Sequence, residues 1–203
     1  MRAVRETLLG LALAGLGGCQ ATFSPTPLRG PSPQGVAVWP TVATAALPFE
    51  RDLLAGADAA LRANGYRAVA VAVGAQMLAE RGLLKAGAEP ADLARVGKEL
   101  AVDAVLCLDV RAFEVPSGAF DSARWDLGWR LLSTRGHGVL WEHEHHGAWA
   151  RRDLDTRDPL RPLDAEKEVV PFGGDRQRDF RDVADLAANL HRMALAHLPR
   201  HQR

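Results

Sequence analysis

The sequence predicts an α/β fold: a mixed sheet with three parallel strands plus an antiparallel β-hairpin, helices covering the sheet. Three observations carry this. Residues 103–113 are apolar on both faces, as suits a central strand covered from both sides. Between residues 36 and 100, short apolar runs alternate with segments of helical spacing, the pattern of parallel strands joined by crossover helices. From Trp125 onward the period becomes two, and a turn at 135–138 brings a second strand back.

The elements follow in order. Val36-Ala37-Val38-Trp39 is a short strand ended by Pro40, which has no N–H to give. Residues 48–63 place Phe49, Leu53, Ala57, Ala60 and Leu61 at helical spacing, and Asn64-Gly65 is a good stop. Val69, Val71 and Val73 predict a second strand, closed by Gly74. Residues 75–81 predict a short helix ending at Gly82, and 89–100 another with Pro90 in its first turn. Residues 103–113 are the third strand. Right-handed crossovers make these three strands parallel.

Trp125, Leu127, Trp129 and Leu131 then alternate with polar or small residues, and residues 139–150 return. The predicted register sets Trp129 opposite His143, Arg130 opposite Glu142, Asp126 opposite His146 and Leu132 opposite Leu140. It supplies two complementary charged pairs and puts Trp125, Leu127, Trp129, Leu131, Val139 and Trp141 on one core face. His143 and His145 fall on that same face, so they are expected near the sheet's end or under the last helix, hydrogen-bonded and partly covered. A charged loop spans 151–177. Phe180, Val183, Ala187, Leu190 and Ala194 form a final amphipathic helix.

The N-terminus carries an address. Arg2 and Arg5 precede an apolar run from Leu8 to Leu16, and Leu16-Gly17-Gly18-Cys19 ends it. This is the layout of a secretory signal. The run is shorter than the roughly 20 residues that span a bilayer. Leu16 to Cys19 resembles the bacterial lipobox, in which the signal is cut and the cysteine becomes a lipidated first residue. The resemblance implies a multiply acylated Cys19, palmitate among the chains, and stable anchoring, which one chain alone does not give. Gln20 in the next position favours the outer membrane. The expected organisation is a signal peptide at 1–18, a lipidated cysteine and Pro-rich tether at 19–35, and one periplasmic α/β domain at 36–203. Pro25, Pro27, Pro31 and Pro33 would let that tether extend roughly 50 Å at about 3.1 Å per residue.

Composition excludes several classes. The chain has 25 basic and 25 acidic residues, so no basic excess argues for nucleic acid or for anionic lipid. With Cys19 acylated, Cys107 has no partner in the chain. In its apolar run it reads as a small buried hydrophobe rather than a reactive thiol.

Gly65-Tyr66, Gly82-Leu83, Ala101-Val102-Asp103-Ala104-Val105-Leu106, Leu131-Leu132 and Val139-Leu140-Trp141-Glu142 carry a wider resemblance, over residues 36–149. The chain resembles a family of bacterial lipoproteins of unknown function, distantly similar to the curli-secretion lipoprotein CsgG and to the TolB N-terminal domain. An Asp-x-x-Thr-Gly turn of that family is replaced here by Ser133-Thr134-Arg135-Gly136-His137-Gly138. The loop at 151–177 also departs from it.

No catalytic set stands out. The chain has no Gly-x-Ser-x-Gly elbow and no phosphate-cradling glycine loop. Ser117-Gly118 reads as a turn. Asp153, Asp155 and Asp158 lack the Gly and Glu of a calcium loop and sit among arginines. His137, His143, His145 and His146 form one cluster. Of these, His143 and His145 share a strand face and are the candidate metal ligands, although a site needs a third.

The expected function is that of a non-enzymatic, lipid-anchored accessory or assembly component of a cell-envelope complex. It has no cofactor, and it works with an envelope protein partner or as a homo-oligomer. The alternative is a periplasmic metal- or small-ligand-binding protein using the cluster at His137–His146. Pore formation would need extra membrane hairpins of about 10 residues per strand, and the alternating strands here are already committed to the core sheet.

Overall fold

The structure, a computed structural model, describes residues 26–40, 42–43, 49–84, 89–115, 120–150 and 180–201. The predicted signal peptide, Cys19, the Ser117-Gly118 turn and the aspartates of the 151–177 loop lie outside these residues.

Among the described residues six strands form one sheet. β1 (Gly35–Val38), β3 (Arg67–Ala68) and β4 (Ala104–Glu114) are parallel in the order β3-β1-β4. β2 (Val42–Ala43) also pairs with β4 in parallel. β5 (Ser122–Ser133) and β6 (Val139–Ala150) complete the order as an antiparallel hairpin. α1 (Glu50–Leu53), α2 (Ala57–Ala63) and α5 (Val183–Leu195) contribute to the core on one face. α3 (Val71–Glu80) and α4 (Leu93–Leu100) cover the other. The crossovers from β1 to β3 and from β3 to β4 run in opposite directions. Right-handed connections therefore put their helices on opposite faces.

β4 is the centre, as its apolar run predicts. Ala104, Leu106, Leu108 and Val110 enter one core, and Val105 and Cys107 enter the other.

Several expected elements differ. The second strand is only Arg67–Ala68, and Val71 and Val73 belong to α3, where Val73 is 53% exposed. Valine alternating with alanine is apolar at every position and so carries no true period-two signal. The helix expected at 48–63 breaks at Gly56, which has φ +79°; a Cβ there would lie 2.8 Å from Ala188 Cβ on α5. The helix expected from residue 89 starts at Leu93, because the Asp92 carboxylate accepts from Arg95 N and caps it. The first strand is expected to end at Pro40, but pairing with β4 resumes beyond it in β2, which the sequence pattern does not mark.

The hairpin register agrees with expectation at Trp129 opposite His143, Arg130 opposite Glu142 and Asp126 opposite His146. It departs at the tip. Leu131 pairs Trp141 and Leu132 pairs Val139, which leaves Leu140 as the extra residue of a bulge. Leu140 therefore joins Trp141 in the main core and Val139 moves to the opposite one. The expected charge pairs do not form. Arg130 forks onto Asp109 of β4, with Nε to Oδ2 at 2.5 Å and Nη2 to Oδ1 at 2.9 Å, and reaches Glu89 at 2.7 Å. Glu142 pairs with Arg29, and Asp126 lies 3.5 Å from Arg111.

The proline-rich segment is part of the body from residue 26. Thr26 N donates to His197 O at 2.8 Å, and Arg29 N donates to Leu140 O, the carbonyl of the bulge, at 2.8 Å. Leu28 packs on the main core.

Gly97 on α4 meets the hairpin turn at close range. A Cβ there would sit 2.5 Å from Thr134 Cβ and 2.6 Å from its Oγ1, and that hydroxyl donates to Val102 O at 2.9 Å. Thr134 cannot rotate away without losing that bond. Gly97→Ala should therefore destabilise by about 1–3 kcal/mol through overpacking, despite about 1 kcal/mol of better helix propensity. Denaturant unfolding with an unchanged or raised midpoint would refute this contact.

Candidate functional site

The titratable groups worth weighing gather on one wall. Period-two alternation along β5 and β6 sends Trp125, Trp129, Trp141, His143, His145 and Trp149 to the same face, beneath α5 and the turn that follows it. His143 stacks between Trp141, at 5.9 Å between ring centroids, and His197, at 4.5 Å. Burial lowers the His143 pKa to about 4, and His197 and His145 add to the effect. His145 accepts from Trp125 Nε1 through Nδ1 at 2.9 Å, and burial likewise lowers its pKa, with help from His146 and His197. Both histidines are neutral near pH 7. They lie under the end of the last helix, hydrogen-bonded or stacked, as the register predicts.

The deepest member of the wall, His191, is not among the candidates that the sequence spacing singles out. His191 on α5 is 2% exposed. Its Nδ1 accepts from Trp129 Nε1 at 3.0 Å, and its Nε2 lies 2.7 Å from Leu53 O. An acceptor on one side and a carbonyl on the other require the neutral ring with its proton on Nε2. Burial lowers its pKa to about 4. The signal was present: His191 falls on the apolar stripe of Val183, Ala187, Leu190 and Ala194. The indole nitrogens of Trp141 and Trp149 are also buried and have no hydrogen-bond partner among the described residues.

Among the described residues, no three His, Cys, Asp or Glu side chains are placed to hold a metal ion. The candidate ligands His143 and His145 share a face, but the neighbouring His197 is stacked flat on His143 and His145 Nδ1 is committed to Trp125, so among the described residues they form no ligand set. Cys107 is wholly buried, and burial pushes its thiol up to about 12, so no thiolate forms at neutral pH.

A second polar centre, Asp103, lies where three elements start or turn. Its Oδ2 accepts from Gln34 N at 2.9 Å and Gly35 N at 3.2 Å, and it pairs with Arg135. Partial burial pushes its pKa up, but the two backbone N–H groups and Arg135 outweigh this and hold the carboxyl below its usual range. Asp103 thus ties the entry of β1 to the hairpin turn, a structural role for the Val102-Asp103-Ala104 motif.

No protein-family model matches the chain, and no curated protein matches it. Solved structures do match. Lipoprotein GNA1162 from Neisseria meningitidis superposes with a TM-score of 0.50 at 20% identity, covering 57% of this chain and 83% of that one. The PelC dodecamer from Paraburkholderia phytofirmans superposes with a TM-score of 0.51 at 16% identity, covering 89% of this chain and 96% of that one. At such identities the likeness is one of fold.

Proposed function

We propose that this chain is a lipid-anchored, periplasm-facing lipoprotein of the outer membrane that serves as a non-enzymatic assembly or accessory component of an envelope complex. The observation that carries the reading is the pairing of the Leu16-Gly17-Gly18-Cys19 signal with a fold also found in a lipoprotein and in a dodecamer. The state of the singled-out groups supports it. His145 and His191 are held as neutral hydrogen-bonding links and Cys107 as a protonated core residue. The partner is a second copy of the chain or another envelope protein. The distant kinship with CsgG and the TolB N-terminal domain belongs to the same reading. Mild crosslinking of the native lipoprotein followed by pull-down tests it: discrete higher species are expected, and monomer alone would sink the assembly role.

No helix among the described residues is long and apolar enough to cross a membrane. If the acyl chains on Cys19 are the anchor, Cys19→Ala should move the protein from the membrane pellet to the soluble fraction once the membranes are washed with high salt. Retention in the pellet after a high-salt wash would refute the lipid anchor.

A further inference from the structure

A chain with equal numbers of acidic and basic residues can still gather one sign locally, and among the described residues basic side chains gather at the end where the parallel strands begin. The segment from residue 26 to 34 crosses that end: Thr26 is bonded to His197, Ser32 Oγ lies 3.0 Å from His201 Nδ1, and Gln34 O accepts from Arg67 N at 3.0 Å. Arg62, Arg67, Lys98 and Arg135 come to this end from separate elements. Among the described residues, two carboxylates pair with them: Asp58 with Arg62, and Asp103 with Arg135. Arg67 donates to Ala101 O at 2.6 Å, and neither it nor Lys98 has a carboxylate partner among the described residues. Two open grooves lie between these cations. One, of about 420 Å³, is lined by Arg62 and Arg67; the other, of about 480 Å³, is lined by Arg67, Lys98 and Arg135.

Chain length sets which end can meet the bilayer. Thr26 is seven residues from Cys19. Seven residues span at most about 25 Å when fully extended. An acylated Cys19 therefore holds the end crossed by residues 26–34 close to the headgroups. We propose that this basic end docks on anionic phospholipid headgroups, with Arg67 and Lys98 as the principal contacts; the proposal rests on the reading of Cys19 as the anchor. Each cation near an anionic surface contributes about 1 kcal/mol, or roughly fivefold. The end would thus orient the domain on the membrane that the acyl chains hold it to.

The mature chain from residue 19 with Cys19→Ser contains every described element and carries no acyl group. It should cosediment with phosphatidylcholine vesicles containing phosphatidylglycerol and not with phosphatidylcholine alone. Arg67→Glu with Lys98→Glu should lower binding by about tenfold or more. Arg124→Glu with Arg181→Glu makes the same change in net charge at the opposite end and should retain binding. If the first pair melts early, Lys98→Glu alone, which loses no partner, should still cost about fivefold. Equal losses in both pairs, binding without phosphatidylglycerol dependence, or displacement by millimolar inorganic phosphate would overturn the proposal. Mass analysis of the native N-terminal peptide tests the anchor separately, because vesicle binding by the unacylated chain does not depend on it.

Discussion

Val105→Asp is expected to leave no cooperatively folded domain at 25 °C. Val105 is 0% exposed and sits near the start of β4, paired with Ala37 on one side and Leu132 on the other. Its side chain enters the second core beside Leu78, Val96 and Leu100. Losing the buried valine costs about 1.5–3 kcal/mol. A carboxyl without a partner there adds several kcal/mol more, whether it ionises or takes up a proton. Together these match the 5–15 kcal/mol by which a domain is ordinarily stable. Val105→Ala, which loses volume but adds no polar group, should fold and melt early. Tryptophan fluorescence and near-UV circular dichroism read both variants. A Val105→Asp melt within a few degrees of the parent would show that β4 is not the covered centre.

His191→Leu should cost about 2–6 kcal/mol and change the acid response of the fold. The leucine fills the volume but leaves Trp129 Nε1 and Leu53 O buried without partners, at about 1–3 kcal/mol each. The acid response follows from the lowered pKa. An unfolded histidine titrates near 6.5, and His191 in the fold near 4. The neutral form is the one that folds, so this stabilisation is complete above pH 6.5. It is lost as pH falls from there to about 4, by on the order of 3 kcal/mol. His143 shifts in the same direction and steepens the same window. Urea titrations at pH 7, 5.5 and 4.5 should show stability falling in the parent and falling less in His191→Leu. Parallel decline in the two proteins would remove His191 as a source of the acid sensitivity.

The hairpin shows how much of this was legible. Period-two spacing from Trp125 to Leu131 set strand type, the facing of both histidines and the register at Trp129 opposite His143. The Leu140 bulge was not legible, because its extra residue is accommodated by Arg29, which lies over a hundred residues away and donates to its carbonyl. The ion pairs failed for a related reason. Arg130 does lie opposite Glu142, but β4 brings Asp109 to its other side with a forked geometry that one cross-strand carboxylate does not match. At Val69 to Val73 the error was local. A valine–alanine run fits a helix or a strand equally, and the short edge strand β3 needed only two residues.

By itself the sequence determined the mixed α/β class, the central strand and the face of the hairpin residues away from the Leu140 bulge, and it carries the lipobox-like motif behind the proposed N-terminal address. All of these follow from which side chains recur at 2 or 3.6 residues, or from a contiguous motif, and such spacing is a property of the local chain. Tertiary structure alone decided which partner each polar group took. His191 meets Trp129 and Leu53, Asp103 meets Gln34 and Arg135, and four cations from four separate segments share one end of the sheet. Hydrogen bonds and charges act through a few ångströms of space. Their partners are therefore set by strand order and crossover direction, which no local period encodes.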